Sequence, residues 1–309
     1  RMPRVLVLSP PDSALSRCLQ SAELPDFIPV FSAPEDVSPA QLAEIEILLG
    51  PPAAIAPLLR HCSNLRWVQS TWAGVRPLIE TASRSYQLTA LKGVFGHAMS
   101  EYVLGWILAL ERRIIERASD RAWNDASDRS VAGRRMGIMG TGSIGGEVAA
   151  AAAAMGIDVI GLNSDGRDVT GFNRCYPVAE RLAFASELDY LVGLLPDTPD
   201  TNGLVDAVLL AALADDALFI NGGRANCVVE NDLLAALERR TLRAAVLDVL
   251  PIEPLPESSP LWQVERLYIT SHTAAPTAET AAAAVFCDNY RRFAAGKPLK
   301  YVVDFARGY

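Results

Sequence analysis

The chain has 309 residues, half of them apolar, which is enough for about two domains with cores of their own. A net charge of −8 and a pI near 5.0 leave no basic footprint for nucleic acid, and no apolar run approaches the ~20 residues of a membrane span. The five cysteines (Cys18, Cys62, Cys175, Cys227, Cys287) are widely spaced, without CxxC or metal-ligand spacing, so reduced core thiols and no metal are expected.

The first residues run straight into a strand pattern at 4–9, without the charged-then-apolar layout of a secretory leader, so a cytoplasmic protein is expected. A helix is predicted over 13–21, then a proline-punctuated stretch over 25–39. Strands follow at 45–49 and 65–70, with a helix end at 58–62 between them. Such alternation with short loops predicts a parallel α/β layer. Trp72, Ala73, Gly74 and Val75 come just after a strand end, where open α/β sheets place ligands. The small residues would leave backbone N–H groups free for an anion, although an ordinary strand-to-helix turn reads equally well. A short strand at 88–91 and a turn at 93–97 precede a long helix over 99–117. Its apolar face holds Val103, Leu104, Ile107, Leu108 and Leu110, with Glu101 near its start and Arg112, Arg113 and Arg117 near its end, as the helix dipole favours. Residues 120–135 are polar and irregular, the pattern of a surface arm.

Residues 136–163 read MGIMGTGSIGGEVAAAAAAMGIDVIGLN, which predicts strand, glycine turn, helix and strand in succession. In the Gly140-x-Gly142-x-x-Gly145 pattern, Gly140 permits the tight turn, Gly142 lets backbone approach a pyrophosphate, and Gly145 lets the helix pack close. The helix N-terminus then offers unpaired N–H groups, and Ser143 and Ile144 lie in its first turn. Dinucleotide binding is the reading this context supports; a close-packed turn without a ligand is its alternative.

Beyond this unit, strands are predicted at 188–194, 217–221, 243–249 and 267–270, alternating with helices at 205–213, 231–239 and 277–295. Arg224, Glu253 and His272 each fall just past one of these strands. Loops at strand carboxyl ends gather on one edge of a parallel sheet, so the three could converge. They suit hydride transfer to a 2-oxo acid. Arginine holds a carboxylate and polarises a carbonyl. Histidine gives a proton to the developing alkoxide, and glutamate on its other nitrogen fixes the ring and favours its protonated form. Of the other histidines, His61 reads as a helix cap and His97 as a turn residue.

Taken together, these residues resemble the D-isomer-specific 2-hydroxyacid dehydrogenases over nearly the whole length. The resemblance rests on Trp67-Val68-Gln69-Ser70 with Ala73-Gly74-Val75, Gly140 to Gly145, and Leu195-Pro196-x-Thr198-Pro199. Asn221-Gly222-Gly223-Arg224, Asp248-Val249 with Glu253-Pro254-Leu255-Pro256, and Ser271-His272 complete it. It is nearest the glyoxylate/hydroxypyruvate reductase branch. The resemblance implies two parallel-sheet domains, Rossmann-like and flavodoxin-like. A dinucleotide-binding domain at 100–274 would be inserted in a split substrate domain, 1–99 with 275–309. It also implies a catalytic trio of Arg224, Glu253 and His272 and a substrate-carboxylate loop at Trp72 to Val75. Leu195, Pro196, Thr198, Gly222 and Gly223 would lie at the coenzyme, Asp248 would contact the nicotinamide amide, and the assembly would be a homodimer. The chain departs from the family pattern at Ala225, Ser271 and Arg76, where Gly, Pro and Asp are usual.

An NAD site would place Asp or Glu at the end of the second strand, on the ribose hydroxyls. Asn163 stands there instead, followed by Ser164, Asp165, Gly166 and Arg167. Asn163 and Ser164 can bond a 2′-phosphate without repulsion and Arg167 can pair with it, which favours NADP over NAD. The sequence therefore predicts an NAD(P)H-dependent reductase of small 2-oxo acids. Its rival is a nucleotide-sensing, corepressor-like interaction protein on the same fold.

Overall fold

Among the described residues, short runs of branched and apolar residues bounded by glycine and proline form twelve strands, all buried in parallel sheets or lying at their edges. The computed structural model describes residues 2–306 and 308. It divides into two compact units: Arg1–Val94 with Thr277–Tyr309, and Phe95–Pro276. The second is thus inserted between the two segments of the first.

In the first unit the strands are β1 (Val5–Leu8), β2 (Pro29–Ser32), β3 (Ile47–Gly50), β4 (Trp67–Ser70) and β5 (Gln87–Thr89). They form a parallel sheet in the order β2-β1-β3-β4-β5, the flavodoxin-like arrangement. β1, β3 and β4 are buried at every position, as strands covered on both faces must be. The Trp67-Val68-Gln69-Ser70 motif is structural here. Trp67 Nε1 donates to Thr89 Oγ1 (2.8 Å) and its ring stacks on Phe286 at 5.1 Å. Gln69 Oε1 accepts from Thr89 and from Asn289, tying β4 to β5 and to the helix Glu279–Ala294.

The second unit holds β6 (Arg135–Met139), β7 (Asp158–Asn163), β8 (Cys175–Pro177), β9 (Tyr190–Gly193), β10 (Leu218–Asn221), β11 (Ala244–Leu247) and β12 (Leu267–Ile269). Their order is β12-β11-β10-β9-β6-β7-β8, a doubly wound sheet whose order reverses between β6 and β9. Alternate residues feed two cores. Met136, Ile138, Tyr190, Val192, Leu218, Ile220, Ala244 and Val246 pack on one face. Met139, Leu191, Phe219, Ala245 and Leu247 pack on the other.

Three elements differ from expectation. β2 and β8 went unread because both are short edge strands that begin or end in proline, where the missing N–H is tolerated. The long helix is two helices, Gly96–Glu111 and Ile114–Ser119, broken where Arg113 takes the left-handed conformation with φ of 50°. The basic cluster at its end does not cap a dipole: Arg113 pairs with Glu116, and Arg112 and Arg117 both reach Asp128 in the irregular segment. Glu111 is buried instead, taking both guanidinium nitrogens of Arg243 (2.7 and 3.2 Å) and the Tyr190 hydroxyl (3.1 Å). No helix among the described residues is long and apolar enough to cross a membrane.

Candidate active site

The glycine turn joins β6 to the helix Ser143–Ala154. Gly140 has φ of 105°, and a Cβ there would meet the Leu194 carbonyl at 2.6 Å. A Cβ on Gly145 would sit 2.0 Å from the Gly140 carbonyl oxygen, so the helix lies closer to the strand than any other residue permits. Gly142 differs from both. It is the exposed N-cap of this 12-residue helix, and a Cβ added there would touch nothing within 4 Å. Space therefore opens at the helix start, where the first N–H groups lack intrahelical acceptors and the dipole favours an anion.

The loops after β9 and β10 close up beside this turn. A Cβ on Gly223 would meet Leu195 N at 2.7 Å, and one on Gly222 would meet Met99 Sδ at 2.7 Å. Leu195 is buried and Pro196 exposed. Thr201 takes the Thr198 N–H (3.1 Å) and donates to the Pro196 carbonyl (2.7 Å), which fixes the turn.

At the end of β7, Asn163 is buried, and its amide is spent on its own loop. Nδ2 donates to Thr141 Oγ1 (3.2 Å) and to the Arg167 carbonyl (2.9 Å), while Oδ1 accepts the Gly166 N–H (2.6 Å). Asn163 therefore shapes the loop, on which Ser164 and Arg167 are exposed. Arg167 pairs with Asp165 at 2.7 Å, and its guanidinium holds the Asp165 carboxyl below its ordinary value.

Arg224, Glu253 and His272 lie beyond β10, β11 and β12, three neighbouring strands. Glu253 Oε2 is 2.8 Å from His272 Nδ1, and Glu253 Oε1 accepts the Leu250 N–H at 2.9 Å. Burial works to raise the Glu253 carboxyl. The hydrogen bonds from His272 and Leu250 and the charges of His272 and Arg224 outweigh it and hold the group below its ordinary value. Burial lowers the Arg224 guanidinium from its ordinary value, against the pull of Glu253 and Asp197; an arginine so shifted still carries its charge. Asn221 is fully buried and shapes the turn that presents Arg224: its Nδ2 donates to the Arg224 carbonyl (3.0 Å) and its Oδ1 accepts the Gly223 N–H (3.2 Å).

His272 itself has φ of 55°, a left-handed conformation costing a non-glycine residue about 1–2 kcal/mol. Asp248 holds it there. Its backbone carbonyl accepts the His272 N–H (2.9 Å), and its buried carboxylate accepts from Thr270 Oγ1 (2.5 Å), Thr273 N (2.8 Å) and Ala274 N (3.0 Å). Nothing in the spacing of the sequence announced that Asp248 shapes the histidine loop. The signal that could have done so is a buried-strand acid followed by a run of small hydroxyl residues.

In the first unit, Trp72 to Val75 follow β4. Trp72 is exposed and Val75 buried. The Trp72 N–H donates to Ser70 Oγ (2.9 Å) and its carbonyl accepts from Ser70 (2.8 Å). Among the described residues, no hydrogen bond uses the backbone N–H of Ala73, Gly74 or Val75. Arg76 pairs with Glu80 at 2.7 Å, and the exposed His97 with Glu101 at 3.2 Å. His61 Nε2 accepts from Arg60 at 3.0 Å.

A doubly wound sheet with its glycine turn at the switch point, and a bonded Glu253–His272 pair along the same edge, is the layout of an oxidoreductase that works with a nicotinamide dinucleotide. The model of the D-isomer specific 2-hydroxyacid dehydrogenase NAD binding domain matches residues 104–274, and the chain belongs to that family. It is 33% identical to glyoxylate/hydroxypyruvate reductase A of Serratia proteamaculans over 264 residues, 82% of this chain and 84% of the relative. Among solved structures it is similar to a D-isomer specific 2-hydroxyacid dehydrogenase family protein from Aeromonas salmonicida. That match has TM-score 0.91 and 36% identity, covering 99% of this chain and 100% of the other. An NADPH-dependent glyoxylate/hydroxypyruvate reductase from Sinorhizobium meliloti, solved with NADP and sulfate, matches with TM-score 0.85 and 30% identity, both chains fully covered.

Proposed function

We propose that this protein is an NADP(H)-dependent reductase of small 2-oxo acids of the glyoxylate and hydroxypyruvate type, forming D-2-hydroxy acids. The observation that carries the reading is the 2.8 Å Glu253–His272 bond with the Arg224 charge beside it, on the sheet edge where the glycine turn opens. With Nδ1 tied to Glu253, His272 keeps Nε2 to deliver a proton to the oxygen at C2, and to take it back in the oxidative direction. Arg224 holds the substrate carboxylate and polarises the carbonyl. In the first unit, the unused N–H groups of Ala73, Gly74 and Val75 after Trp72 suit the binding of a carboxylate. Phe95–Pro276 is the dinucleotide-binding domain and the remainder the substrate domain.

The open space at Gly142 and the close packing at Gly140 and Gly145 fit a pyrophosphate at the helix start, beside Ser143 and Ile144. Leu195, Pro196, Thr198, Gly222, Gly223 and Asp248 flank the nicotinamide end. Ser164 and Arg167, on the loop Asn163 shapes, take the 2′-phosphate, in keeping with the NADP in the Sinorhizobium meliloti reductase. When bound, the reduced coenzyme supplies the hydride. The protein works as a homodimer in the cytoplasm, and exposed Ile114, Ile115 and Trp123 suit a subunit contact.

The test is NADPH and NADH oxidation with glyoxylate, hydroxypyruvate and phenylpyruvate, in the wild type, His272→Ala and Arg167→Ala. The two small acids with NADPH give the fastest turnover. His272→Ala loses about 10²- to 10⁴-fold in kcat, and Arg167→Ala loses most of the preference for NADPH. NADPH binding without turnover of any 2-oxo acid overturns the reductase reading. A wild-type preference for NADH overturns the assignment of Ser164 and Arg167.

A further inference from the structure

We infer that Tyr102, on the helix Gly96–Glu111, is a positioning residue for His272, acting through Thr270 and Asp248 in a directed chain of hydroxyl hydrogen bonds. The Thr270 hydroxyl donates to Asp248 Oδ1 at 2.5 Å, so its one proton is committed. The Tyr102 hydroxyl lies 2.8 Å from the same Thr270 oxygen and is therefore the donor of that pair. The order is Tyr102 O–H to Thr270 and Thr270 O–H to the carboxylate, which also accepts the N–H groups of Thr273 and Ala274, the two residues after His272.

Each link narrows the next. Three donors converge on a buried carboxylate, which keeps it an acceptor with a fixed orientation. The loop it grips carries a histidine in a conformation the backbone would otherwise leave. Tyr102 does not swing freely: its ring meets Trp106 edge-on at 6.5 Å, and Trp106 packs on Tyr268 of β12 at 5.1 Å, two residues before Thr270. Burial, with the Asp248 charge adding to it against the Thr270 hydrogen bond, pushes the Tyr102 phenol up to about 12, so it stays a donor throughout the working range. Helix and loop are thereby joined through the Tyr102–Thr270 hydrogen bond. Aspartate in this place was expected only to meet the coenzyme; its three bonds to the loop give it a second task, and Tyr102 serves that task.

The inference rests on the reading of His272 as the acid–base group, and the experiment separates the two. Steady-state kinetics with NADPH and glyoxylate, NADPH binding by fluorescence, and thermal melting are measured for Tyr102→Phe, Thr270→Val, Thr270→Ser, the Tyr102→Phe/Thr270→Val double variant and His272→Ala. Tyr102→Phe is expected to lower kcat about three- to tenfold, the effect of one lost neutral hydrogen bond, with the NADPH dissociation constant unchanged. Thr270→Val falls further, Thr270→Ser keeps the hydroxyl and stays near wild type, and the double variant is no worse than Thr270→Val, because Tyr102 acts only through Thr270. Equal losses in Thr270→Ser and Thr270→Val, additive losses in the double variant, or a kcat untouched by Tyr102→Phe overturn the inference. A His272→Ala variant that turns over normally overturns instead the acid–base reading beneath it.

Discussion

Three glycines within five residues, Gly142, Gly145 and Gly146, make opposite predictions when each is replaced by alanine. At Gly145 the new Cβ would stand 2.0 Å from the Gly140 carbonyl oxygen, a backbone atom, and that carbonyl would have to retreat by about 1 Å to reach even 3.0 Å. Overpacking against side chains costs about 1–3 kcal/mol, and here no side chain can turn away, so a value of about 3 kcal/mol is expected. For a unit of this size that is a fall in Tm of roughly 6–12 °C. Gly146 is helical with nothing within 4 Å of its Cβ, so Gly146→Ala gains about 1 kcal/mol of helix propensity. Gly142→Ala loses about 0.5–1 kcal/mol of N-cap preference and regains a similar amount from the less flexible unfolded chain, leaving Tm nearly unchanged. Its methyl, however, projects into the open space assigned to the pyrophosphate, and NADPH binding weakens at least tenfold, about 1.4 kcal/mol. Thermal melting and NADPH titration of the three variants separate the cases. Gly142→Ala binding NADPH as tightly as the wild type would refute the placement of the phosphates. Gly145→Ala melting with the wild type would refute the packing argument.

Two further outcomes follow from charged groups. The folded-state pKa of Glu253 is depressed, so the stabilisation from its carboxylate is present above the ordinary glutamate range and lost as pH falls through the depressed value. An acid limb in kcat/KM is expected below that ordinary range, and Glu253→Gln abolishes the limb while lowering the plateau; a limb that survives in Glu253→Gln assigns the titration elsewhere. Arg243→Ala leaves Glu111, 3% exposed, with only the Tyr190 hydroxyl, and should cost about 3–5 kcal/mol by thermal or urea unfolding with the kinetic constants of the remaining folded enzyme unchanged. A loss below 1 kcal/mol would show that Glu111 finds another partner or takes up a proton.

What the sequence displayed and what it hid divide along physical lines. The buried strands β1, β3, β4, β6, β7, β9, β10 and β11 are apolar runs closed by glycine or polar turns, and a parallel α/β fold was legible from them. The glycine spacing placed the β6 turn, and strand ends placed Arg224, Glu253 and His272 on one edge. Of the four edge strands, Pro29–Ser32 and Cys175–Pro177 were illegible because they lack a run of buried residues. The break at Arg113 was illegible because no glycine or proline marks it, only a left-handed arginine. The contacts that position side chains were hidden for a different reason. Asp248, Thr270 and Tyr102 meet across long stretches of chain, and periodicity carries no information about which polar groups will face one another in the fold.

Asn163 has a bearing on how coenzyme choice could be altered. Exchanging it for aspartate, the direct route to a ribose-binding acid, keeps an acceptor for the Gly166 N–H but removes both donors, to Thr141 and to the Arg167 carbonyl. The same side chain therefore specifies local charge and loop architecture, and a single substitution cannot change one without the other. Drift or design toward the other dinucleotide must first free that loop from its dependence on the amide, for instance by replacing residues 164–167 as a block. On the proposed assignment of Ser164 and Arg167, selectivity is inherited by a segment, and point mutations at its apex will trade affinity for both coenzymes before they reverse the preference.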